Sequence, residues 1–557
     1  MSALKPEYGD DSRTYYSLNA GIIIVSDPLV TLFPDVVIEP LVARWYAWSH
    51  LIAPATAALN TAYHHIPLLK SFVDSPDVHA VACQTPSLRG GPFVDLPKRD
   101  VEAVGRLIDE TQTKQEQLIQ FGEGLREAFR FILKNADGNS IEKHYQTLPD
   151  SVKGYVELFY TLGGFPDLRV IEPLLYRSAL HSTTNQTAML YRAKGDQRSF
   201  AFSTPRLPRA EAYEVNQPFE SELYDFLARL RLEPQPLSVV LQRLNAAEQD
   251  VALIRSLVTE TPVKVEPHVH QVGETRWRYF GHACVLVESA DGKSVLVDPL
   301  IAYETDPTLK RFVLSDLPEV IDFVVLTHNH ADHVLIETLL ALRYKIDTIV
   351  VPAAGGGIAD PSLKLMLESI GFKKVVELGP LGSIQTGLLR LTALPFLGEH
   401  GDLDIRSKAA WHVQAGPHSM LFAADSNNLE PRLYDMLRTM FGQINTLFIG
   451  MECLGAPFSW TYGPLLPVAI DRKKDQSRRL NGSDFKRGLE VVKSLGCQSV
   501  YVYAMGAEPW LQFITSIDPA PDTVPVVNAN QLVEHCRELG LTAERLYGHA
   551  EIVLSKA

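Results

Sequence analysis

Cysteine and positive charge are both scarce in this chain of 557 residues. Lysine and arginine total 52 against 66 acidic residues, and the net charge of −14 argues against general nucleic-acid binding. The five cysteines lie far apart, without a Cys-x-x-Cys pair. Such an odd and sparse set predicts free thiols in a reducing compartment rather than a disulfide framework.

Long apolar runs are also missing. The apolar run at residues 20–25 is too short to cross a bilayer and is soon followed by Asp27-Pro28. The N-terminus has no basic segment followed by an apolar one, so no signal peptide is expected. We therefore expect a cytoplasmic protein with no membrane partner. The sequence also has no phosphate loop typical of a nucleotide-binding or flavodoxin-like domain.

The length of the chain predicts two or more domains, because a single core rarely grows this large. The content of 46% hydrophobic and 21% charged residues is typical of a globular protein. A helical pattern from Leu241 to Leu257 gives way to a polar stretch that contains prolines at 262 and 267. We place the domain boundary there, with an N-terminal domain over residues 1–265 and a C-terminal domain over 266–557. The N-terminal domain is predicted to be mixed α+β, with helical apolar spacing at 100–133 and 151–162.

The C-terminal domain alternates predicted strands and helices. Residues 281–288 and 294–298 predict a hairpin that turns at Asp291-Gly292. Further strands are predicted at 321–327, 347–352, 389–395, 419–424, 445–450 and 498–504. Helices are predicted at 332–343, 361–370, 431–441, 484–495 and 529–539. Paired hairpins with interleaved helices favour an α/β fold built as an αββα sandwich.

The most informative stretch is the heptapeptide from Thr327 to His333, which follows the apolar run at 323–326. It contains three histidines and one aspartate with the spacing H-x-H-x-D-H. His328 and His330 can bind one metal ion, and Asp332 and His333 a second one beside it. This signature behind a buried strand resembles the metallo-β-lactamase superfamily, whose fold is the αββα sandwich.

Four further residues extend the predicted site. Asp298 ends a buried strand and can orient a histidine ligand without binding the metal itself, or it can simply end the strand in an Asp-Pro turn. Asp425 ends the apolar strand at 420–424, where the superfamily places a metal-bridging aspartate. Glu399 and His400 both lie where the hydrolases of the superfamily place a histidine ligand, so either residue is a candidate.

One expected histidine is missing. The hydrolases usually supply a last ligand from a late loop, but the corresponding segment, residues 500–510, contains no histidine. His412, His418 and His549 are possible substitutes, although surface or strand positions are the simpler interpretation. If Glu399 is a ligand, the site has three histidines and three carboxylates, which favour iron or manganese over zinc. The missing histidine leaves a coordination position open for O2 or substrate, and this favours redox chemistry over water activation.

With these two departures from the hydrolases, the chain resembles one branch of the superfamily, the diiron β-hydroxylases of chloramphenicol and nonribosomal-peptide biosynthesis. The resemblance depends on the metal loop and on four other stretches: Gly398 to Asp402 followed by Ala424-Asp425, Gly450 to Cys453 with Trp460 to Leu466, Ser477 to Leu480, and Tyr503 to Trp510. It implies an O2-dependent monooxygenase that hydroxylates the β-carbon of an amino acid. That amino acid is held as a thioester on the phosphopantetheine arm of a synthetase carrier domain.

The same resemblance implies the cofactor and the partners. The cofactor is a pair of non-heme iron ions with an oxo or hydroxo bridge, and Glu399 rather than His400 is a ligand. O2 is the co-substrate, and an external donor supplies two electrons. The N-terminal domain is expected to form a homodimer.

Outside the ligand set, Glu452 is a candidate catalytic residue that positions a proton, with pairing to an arginine as the equal alternative. A basic segment at residues 471–479 is a candidate docking surface for the phosphopantetheine phosphate and the carrier, with a solvated loop as the alternative. Phe458, Trp460 and Tyr462 are expected either to line a substrate channel or to pack in the core. The five cations of the basic segment are Arg472, Lys473, Lys474, Arg478 and Arg479.

Two other functions compete with the oxygenase. A dinuclear zinc hydrolase of esters, thioesters or lactones would use a bridging hydroxide at the same loop. Glu399 and the absent late histidine argue against it. A scaffold that keeps the fold without catalysis is the third possibility, and the intact set of candidate ligands argues against that.

Overall fold

The computed structural model describes residues 27–261, 269–306, 308–517 and 520–554. The apolar run at 20–25 and the predicted boundary at 265/266 lie outside the described residues. No helix of the described residues is long and apolar enough to cross a membrane.

Two seven-stranded sheets form the C-terminal half. Each sheet combines antiparallel strands with a run of parallel ones. From one edge to the other, the first sheet contains Val375–Leu378, Ile346–Pro352, Ile321–Val325, Ser294–Val297, Cys284–Glu288, Thr275–Gly281 and Ala550–Leu554. From one edge to the other, the second sheet contains Ser383–Thr386, Leu389–Leu394, Ala410–Ala415, His418–Phe422, Thr446–Gly450, Ser499–Tyr503 and Thr542–Arg545.

The two sheets pack face to face, because alternate residues of their strands are large and apolar. Trp277 and Phe323 of the first sheet meet Trp411 and Phe448 of the second in one buried cluster. Helices cover both outer faces, which confirms the predicted αββα sandwich. They are Ile336–Leu342 and Leu363–Ser369 beside the first sheet, and Arg432–Phe441, Phe485–Leu495 and Val524–Glu538 beside the second. Short helices also occur at Ser459–Tyr462, Arg472–Ser477 and Gln512–Thr515.

The N-terminal half mixes small sheets with helices, as predicted. Its core is continuous with the outer face of the first large sheet: Phe219 and Leu227 share a cluster with Leu296 and Val324. Its strands are Leu29–Leu32, Val36–Val42, Trp45–Tyr46, Val156–Tyr160, Pro166–Val170, Gln186–Arg192, Tyr213–Val215, Gln235–Pro236 and Val258–Thr259. Its helices are Ser49–Ile52, Pro54–Asn60, Ile66–Asp74, Pro76–Gln84, Val101–Lys114, Glu116–Asn135, Glu172–Leu175, Glu222–Arg229, Leu237–Arg243 and Val251–Leu257.

Several predicted elements were wrong in kind or extent. A helix was predicted at 151–162, but the structure has the strand Val156–Tyr160 there. The first three residues of this strand are buried, exposed and buried in turn, which is the alternation of a strand and not the spacing of a helix. The helical pattern at 241–257 breaks into two helices, because Asn245 adopts a left-handed φ of 51°. The helix predicted from 332 begins only at Ile336, so Asp332 and His333 belong to the loop. The helix predicted from 529 begins earlier, at Val524, with Pro525 in its first turn.

The predicted hairpin at 281–298 is present, but its first strand begins at Cys284. Residues before it belong to a separate antiparallel strand, Thr275–Gly281. The chain turns between these strands at His282, which has a left-handed φ of 50°. This turn brings His282 to the candidate site, at a position where the sequence indicated an ordinary strand residue.

Candidate metal centre

The metal loop leaves the end of the strand Ile321–Val325. The neighbouring parallel strand Ser294–Val297 ends at the same edge, and Asp298 follows it. One carboxylate oxygen of Asp298 accepts the backbone N–H of Thr327 at 2.7 Å, and the other accepts its hydroxyl at 2.6 Å. The second oxygen also lies 2.8 Å from Nδ1 of His333. Asp298 therefore holds both the loop and the ring of His333, as expected of a residue that orients a ligand.

One group of possible metal ligands consists of His328, His330 and Glu399. Nδ1 of His330 lies 2.8 Å from Oε1 of Glu399, and Nε2 of His328 lies 3.8 Å from Oε2. All three residues are buried. Burial raises the pKa of Glu399, but the neighbouring His330 and His400 outweigh it and lower the pKa to about 2. Glu399 is therefore an ionised oxygen donor.

A second group consists of His328, His333 and Asp425. Oδ2 of Asp425 lies 3.1 Å from Nε2 of His333 and 3.8 Å from Nε2 of His328. Asp425 thus faces both halves of the loop, at the position expected of a bridging carboxylate. Burial lowers the pKa of His333, but the carboxylates of Asp425, Asp332 and Asp298 outweigh it and raise that pKa well above its ordinary value.

Asp332 completes the second half of the site. Its Oδ2 lies 3.8 Å from Nε2 of His333. Burial raises the pKa of Asp332, but the adjacent His333 and His282 outweigh it, so its pKa is lowered from the ordinary range. The structure therefore brings together all six predicted ligands: His328, His330, Asp332, His333, Glu399 and Asp425.

Glu399 and His400 occupy different places. The carboxylate of Glu399 faces His328 and His330, whereas His400 directs its Nδ1 to Oε2 of Glu399 at 2.9 Å. The possible ligand groups found among the described residues contain Glu399 and not His400. This geometry favours Glu399 as the ligand, with His400 supporting it.

The donor set fits a pair of metal ions. Nε2 of His328 and Oδ1 of Asp425 are buried and have no hydrogen-bond partner among the described residues. Buried polar atoms without partners are rare, and a bound cation would satisfy both. Three imidazoles and three carboxylates are the mixture expected for iron, because oxygen donors favour iron over zinc.

Sequence reasoning missed His282. Its Nε2 lies 3.2 Å from Oδ2 of Asp332, and its ring is buried. With Asp332 and His333 it forms a third group of possible ligands. The signal in the sequence was Gly281, because a glycine before a histidine permits the turn that carries it. Gly281 has a φ of 110° and lies against Trp510.

The histidines proposed as substitutes lie elsewhere. His412 bonds Ser419 through Nε2 at 2.8 Å within the second sheet, and His549 packs against Phe312. The late segment at 500–510 instead contributes Tyr503, whose hydroxyl oxygen accepts the N–H of Ala424 beside Asp425. Neither His412, His418 nor His549 joins a ligand group found among the described residues.

A large cavity opens onto the centre, with a volume of about 1170 Å³. His330, Asp332, Glu399 and Asp425 form part of its wall. Residues of the N-terminal half also line this cavity, so both halves of the chain form its wall. Those residues include Trp48, Tyr63, Arg126, Arg130, Phe200 and Phe202.

Glu452 also lines this cavity. Burial and the nearby Asp425 raise its pKa to about 8, against the opposing charge of Arg479. Arg479 is engaged elsewhere, because its Nε donates to the carbonyl oxygen of Gly455 at 2.7 Å.

The three aromatic candidates divide between the two expected roles. Trp460 lines the cavity, and 42% of its surface is exposed. The hydroxyl of Tyr462 lies 3.0 Å from Nε2 of His330, so Tyr462 contacts a candidate ligand. Phe458 is buried beneath the guanidinium of Arg478, which is a packing role.

The basic segment forms a short helix, Arg472–Ser477, and is not a loop as the sequence suggested. Asp471 caps it by accepting the N–H groups of Lys473 and Lys474. Arg472, Lys473 and Lys474 are exposed. Arg478 and Arg479 are less exposed, and their Nε atoms donate to backbone carbonyls of Gly401 and Gly455.

Comparison with known protein families supports both halves of this description. Residues 31–262 match the family described as "Diiron non-heme beta-hydroxylase N-terminal domain". Residues 293–457 match the family described as "Beta-lactamase superfamily domain".

Whole-chain relatives give the same result. The chain is 38% identical over 524 residues to the 4-amino-L-phenylalanyl-[CmlP-peptidyl-carrier-protein] 3-hydroxylase of Streptomyces venezuelae, covering 93% of this chain and 98% of that protein. The crystal structure of CmlA, a diiron β-hydroxylase from the same species, superposes with a TM-score of 0.87 at 37% identity, covering 95% of this chain and all of that one. A mutant of CmlA gives a TM-score of 0.85 at 36% identity, covering 94% of this chain and all of that one.

Proposed function

Because this chain belongs to the family of diiron non-heme β-hydroxylases, we propose that it hydroxylates the β-carbon of an amino acid held as a thioester on a peptidyl carrier. The observation that carries the proposal is the carboxylate of Glu399 between His328 and His330. A zinc hydrolase of this fold would be expected to have a histidine there. The chain is an enzyme, and its cofactor is a pair of non-heme irons used with O2.

The six side chains at the centre would hold the metals. We assign His328, His330 and Glu399 to one iron, Asp332 and His333 to the other, and Asp425 to both. Asp298 orients His333 without being a ligand. Two irons bound there would activate O2 for insertion of one oxygen atom into a C–H bond. The overall reaction consumes two electrons and two protons and releases one water molecule.

Glu452 would manage a proton in this reaction. Its carboxyl group lines the cavity, and burial raises its pKa to about 8. A neutral carboxyl near the centre can donate a proton when O2 is reduced. Tyr462 is a positioning residue in this proposal, because its hydroxyl contacts His330 on the side away from Glu399.

The cavity suits a tethered substrate better than a small free one. Its wall joins the metal centre to aromatic side chains of the N-terminal half, so an aminoacyl group can reach the metals while its tether passes outward. Arg472, Lys473 and Lys474 are exposed and follow Ala469 of this wall within five residues. We propose that they dock an acidic carrier, while Arg478 and Arg479 hold the segment in place.

Four further parts of the proposal concern the electron donor, the oligomer, the location and the domain boundary. An external donor supplies the two electrons. The N-terminal half forms a homodimer, and the enzyme works in the cytoplasm. We place the domain boundary near residue 265, between the two family matches at 31–262 and 293–457.

The test combines metal analysis with turnover. Protein purified from iron-replete cells is analysed for metals and then incubated with a reductant, isotopically labelled O2 and an aminoacyl carrier. We expect two irons per chain and transfer of one labelled oxygen atom to the β-carbon, with the free amino acid unreacted. Stoichiometric zinc together with thioester hydrolysis would instead establish the hydrolase and refute the proposal.

A further inference from the structure

Two arginines of the helix Glu116–Asn135 line the cavity that opens onto the metal centre. Arg126 and Arg130 lie four residues apart, so they project from the same face of the helix. Nη2 of Arg126 donates to the carbonyl oxygen of Pro464 at 2.6 Å, and Nε of Arg130 donates to that of Pro467 at 2.7 Å. The Arg126 guanidinium also lies 3.1 Å from the ring centroid of Tyr63.

These contacts fix the guanidiniums but do not neutralise them. Neither arginine forms an ion pair with a carboxylate of the described residues. Nε of Arg126 is buried and has no hydrogen-bond partner among those residues. Burial lowers the pKa of Arg126, and the charge of Arg130 lowers it further. Glu123 and Glu127 on the same helix act on Tyr63 and pair with neither arginine.

Other cations of the cavity wall are less suited to an incoming anion. Arg479 uses Nε on the carbonyl of Gly455 and Nη1 on Gln476. Arg89 already interacts with other groups of the protein. Arg126 and Arg130 therefore place two guanidiniums without partner carboxylates on the wall of the cavity. Such a pair can bind an anion that has several oxygen acceptors.

We propose that Arg126 and Arg130 bind the phosphodiester of the pantetheine arm that carries the substrate. This inference rests on the proposed function, because the arm has its thioester at one end and its phosphate at the other. When the thioester end lies at the metal centre, the phosphate end must leave through the same cavity. The segment from Pro464 to Pro467, which both arginines hold, leads within a few residues to the exposed cations of Arg472–Ser477. The carrier would therefore dock beside the phosphate site.

The decisive experiment measures binding and does not require turnover. Iron-loaded protein is titrated with phosphopantetheine, with pantetheine and with inorganic phosphate by calorimetry or by ligand-observed NMR. Charge-assisted hydrogen bonds predict that phosphopantetheine binds roughly tenfold more tightly than pantetheine. Arg130→Gln and Arg126→Gln should each reduce this preference several-fold, and Arg130→Lys should retain part of it. The matched control is Lys486→Gln, an exposed cation that does not line the cavity and should keep the full preference.

The outcomes separate this inference from the proposed function. Equal affinity of the unaltered protein for phosphopantetheine and pantetheine would overturn the phosphate site, as would a preference that survives both Arg→Gln changes at unchanged iron content. Inorganic phosphate that binds as tightly as phosphopantetheine would show a site for the free anion and overturn the assignment to the arm. The preference for phosphopantetheine over pantetheine is measured without turnover. A protein that keeps this preference but does not hydroxylate the carrier-bound amino acid would refute the proposed function alone.

Discussion

Nε2 of His282 lies 3.2 Å from Oδ2 of Asp332, and Nδ1 of the same ring accepts the backbone N–H of Gly506 at 3.1 Å. A ring nitrogen that accepts a hydrogen bond carries no proton, so in the neutral imidazole the proton is on Nε2. Nε2 has no other partner among the described residues. His282 therefore donates toward Asp332, and we interpret it as a positioning residue rather than as an extra metal ligand.

The first prediction concerns this pair. His282→Ala should weaken metal binding at the Asp332 half by about 10–100-fold, the usual effect of losing a residue that orients a ligand. His282→Gln keeps a side-chain N–H donor and should recover part of that loss. Iron content after dialysis against a graded chelator, together with the optical spectrum, measures the effect. His412→Gln, a change at a buried histidine in the second sheet, is the control. If His282→Gln were as damaging as Asp332→Ala, His282 would be a ligand.

The second prediction separates Glu399 from His400. Glu399→Ala removes the carboxylate that faces His328 and His330, so bound iron should fall by about half or more. His400→Ala removes only a contact to Glu399 and should keep both metals with a modest loss of affinity. Metal analysis of both variants, purified side by side, decides the assignment. The reverse order of iron loss would make His400 the ligand.

Much of the centre was predictable because its ligands follow the ends of buried strands. His328, Asp298 and Asp425 follow three strands whose apolar runs are plain in the sequence. His282 was not predictable in this way, since a left-handed turn carries it to the site and the apolar residues around it resemble one continuous strand. The helices at 332 and 241 were misjudged for a related reason, because local backbone geometry interrupted an apolar spacing that otherwise continued.

The N-terminal half was less predictable because its function depends on contacts distant in sequence. Nothing near Arg126 in the sequence reveals that its guanidinium lies over Tyr63 and holds Pro464. Likewise, the five cations of the basic segment look equivalent in the sequence. The structure divides them into three exposed residues and two that hold backbone carbonyls.

The third prediction uses that division. Changing Arg472, Lys473 or Lys474 to glutamine should raise the KM for an aminoacyl carrier by roughly two- to fivefold each, with iron content unchanged. The effect should shrink at high salt, because exposed charges are screened. Steady-state kinetics at two ionic strengths measures it. Arg478→Gln should behave differently and lower stability, since Arg478 bonds Gly401 and covers Phe458. If all three exposed changes leave KM unaltered, this helix does not dock the carrier.

The fourth prediction concerns the pH dependence of stability and is centred on Glu172. One oxygen of Glu172 accepts the N–H of Ser362 from the C-terminal half at 2.9 Å, and the other oxygen is buried without a hydrogen-bond partner among the described residues. Burial raises its pKa to about 7, partly opposed by the bond from Ser362 and reinforced by the charges of Asp360 and Glu377. A raised pKa means that the folded protein favours the protonated carboxyl. The stabilisation is fully present below the ordinary pKa of 4.5 and is lost as pH rises through about 7.

Glu172→Gln reproduces the protonated form at every pH. We expect it to raise the unfolding temperature by a few degrees at about pH 8, where it removes a buried charge worth on the order of 1–3 kcal/mol. At about pH 4 the side chain of the unaltered protein is protonated in both the folded and the unfolded states, so the two proteins should unfold at nearly the same temperature. Differential scanning calorimetry at both pH values measures the difference. Glu157→Gln, at an exposed carboxylate paired with Arg169, is the control and should show no such pH dependence. An equal shift at both pH values would mean that Glu172 is charged throughout and that its burial is not what links stability to pH.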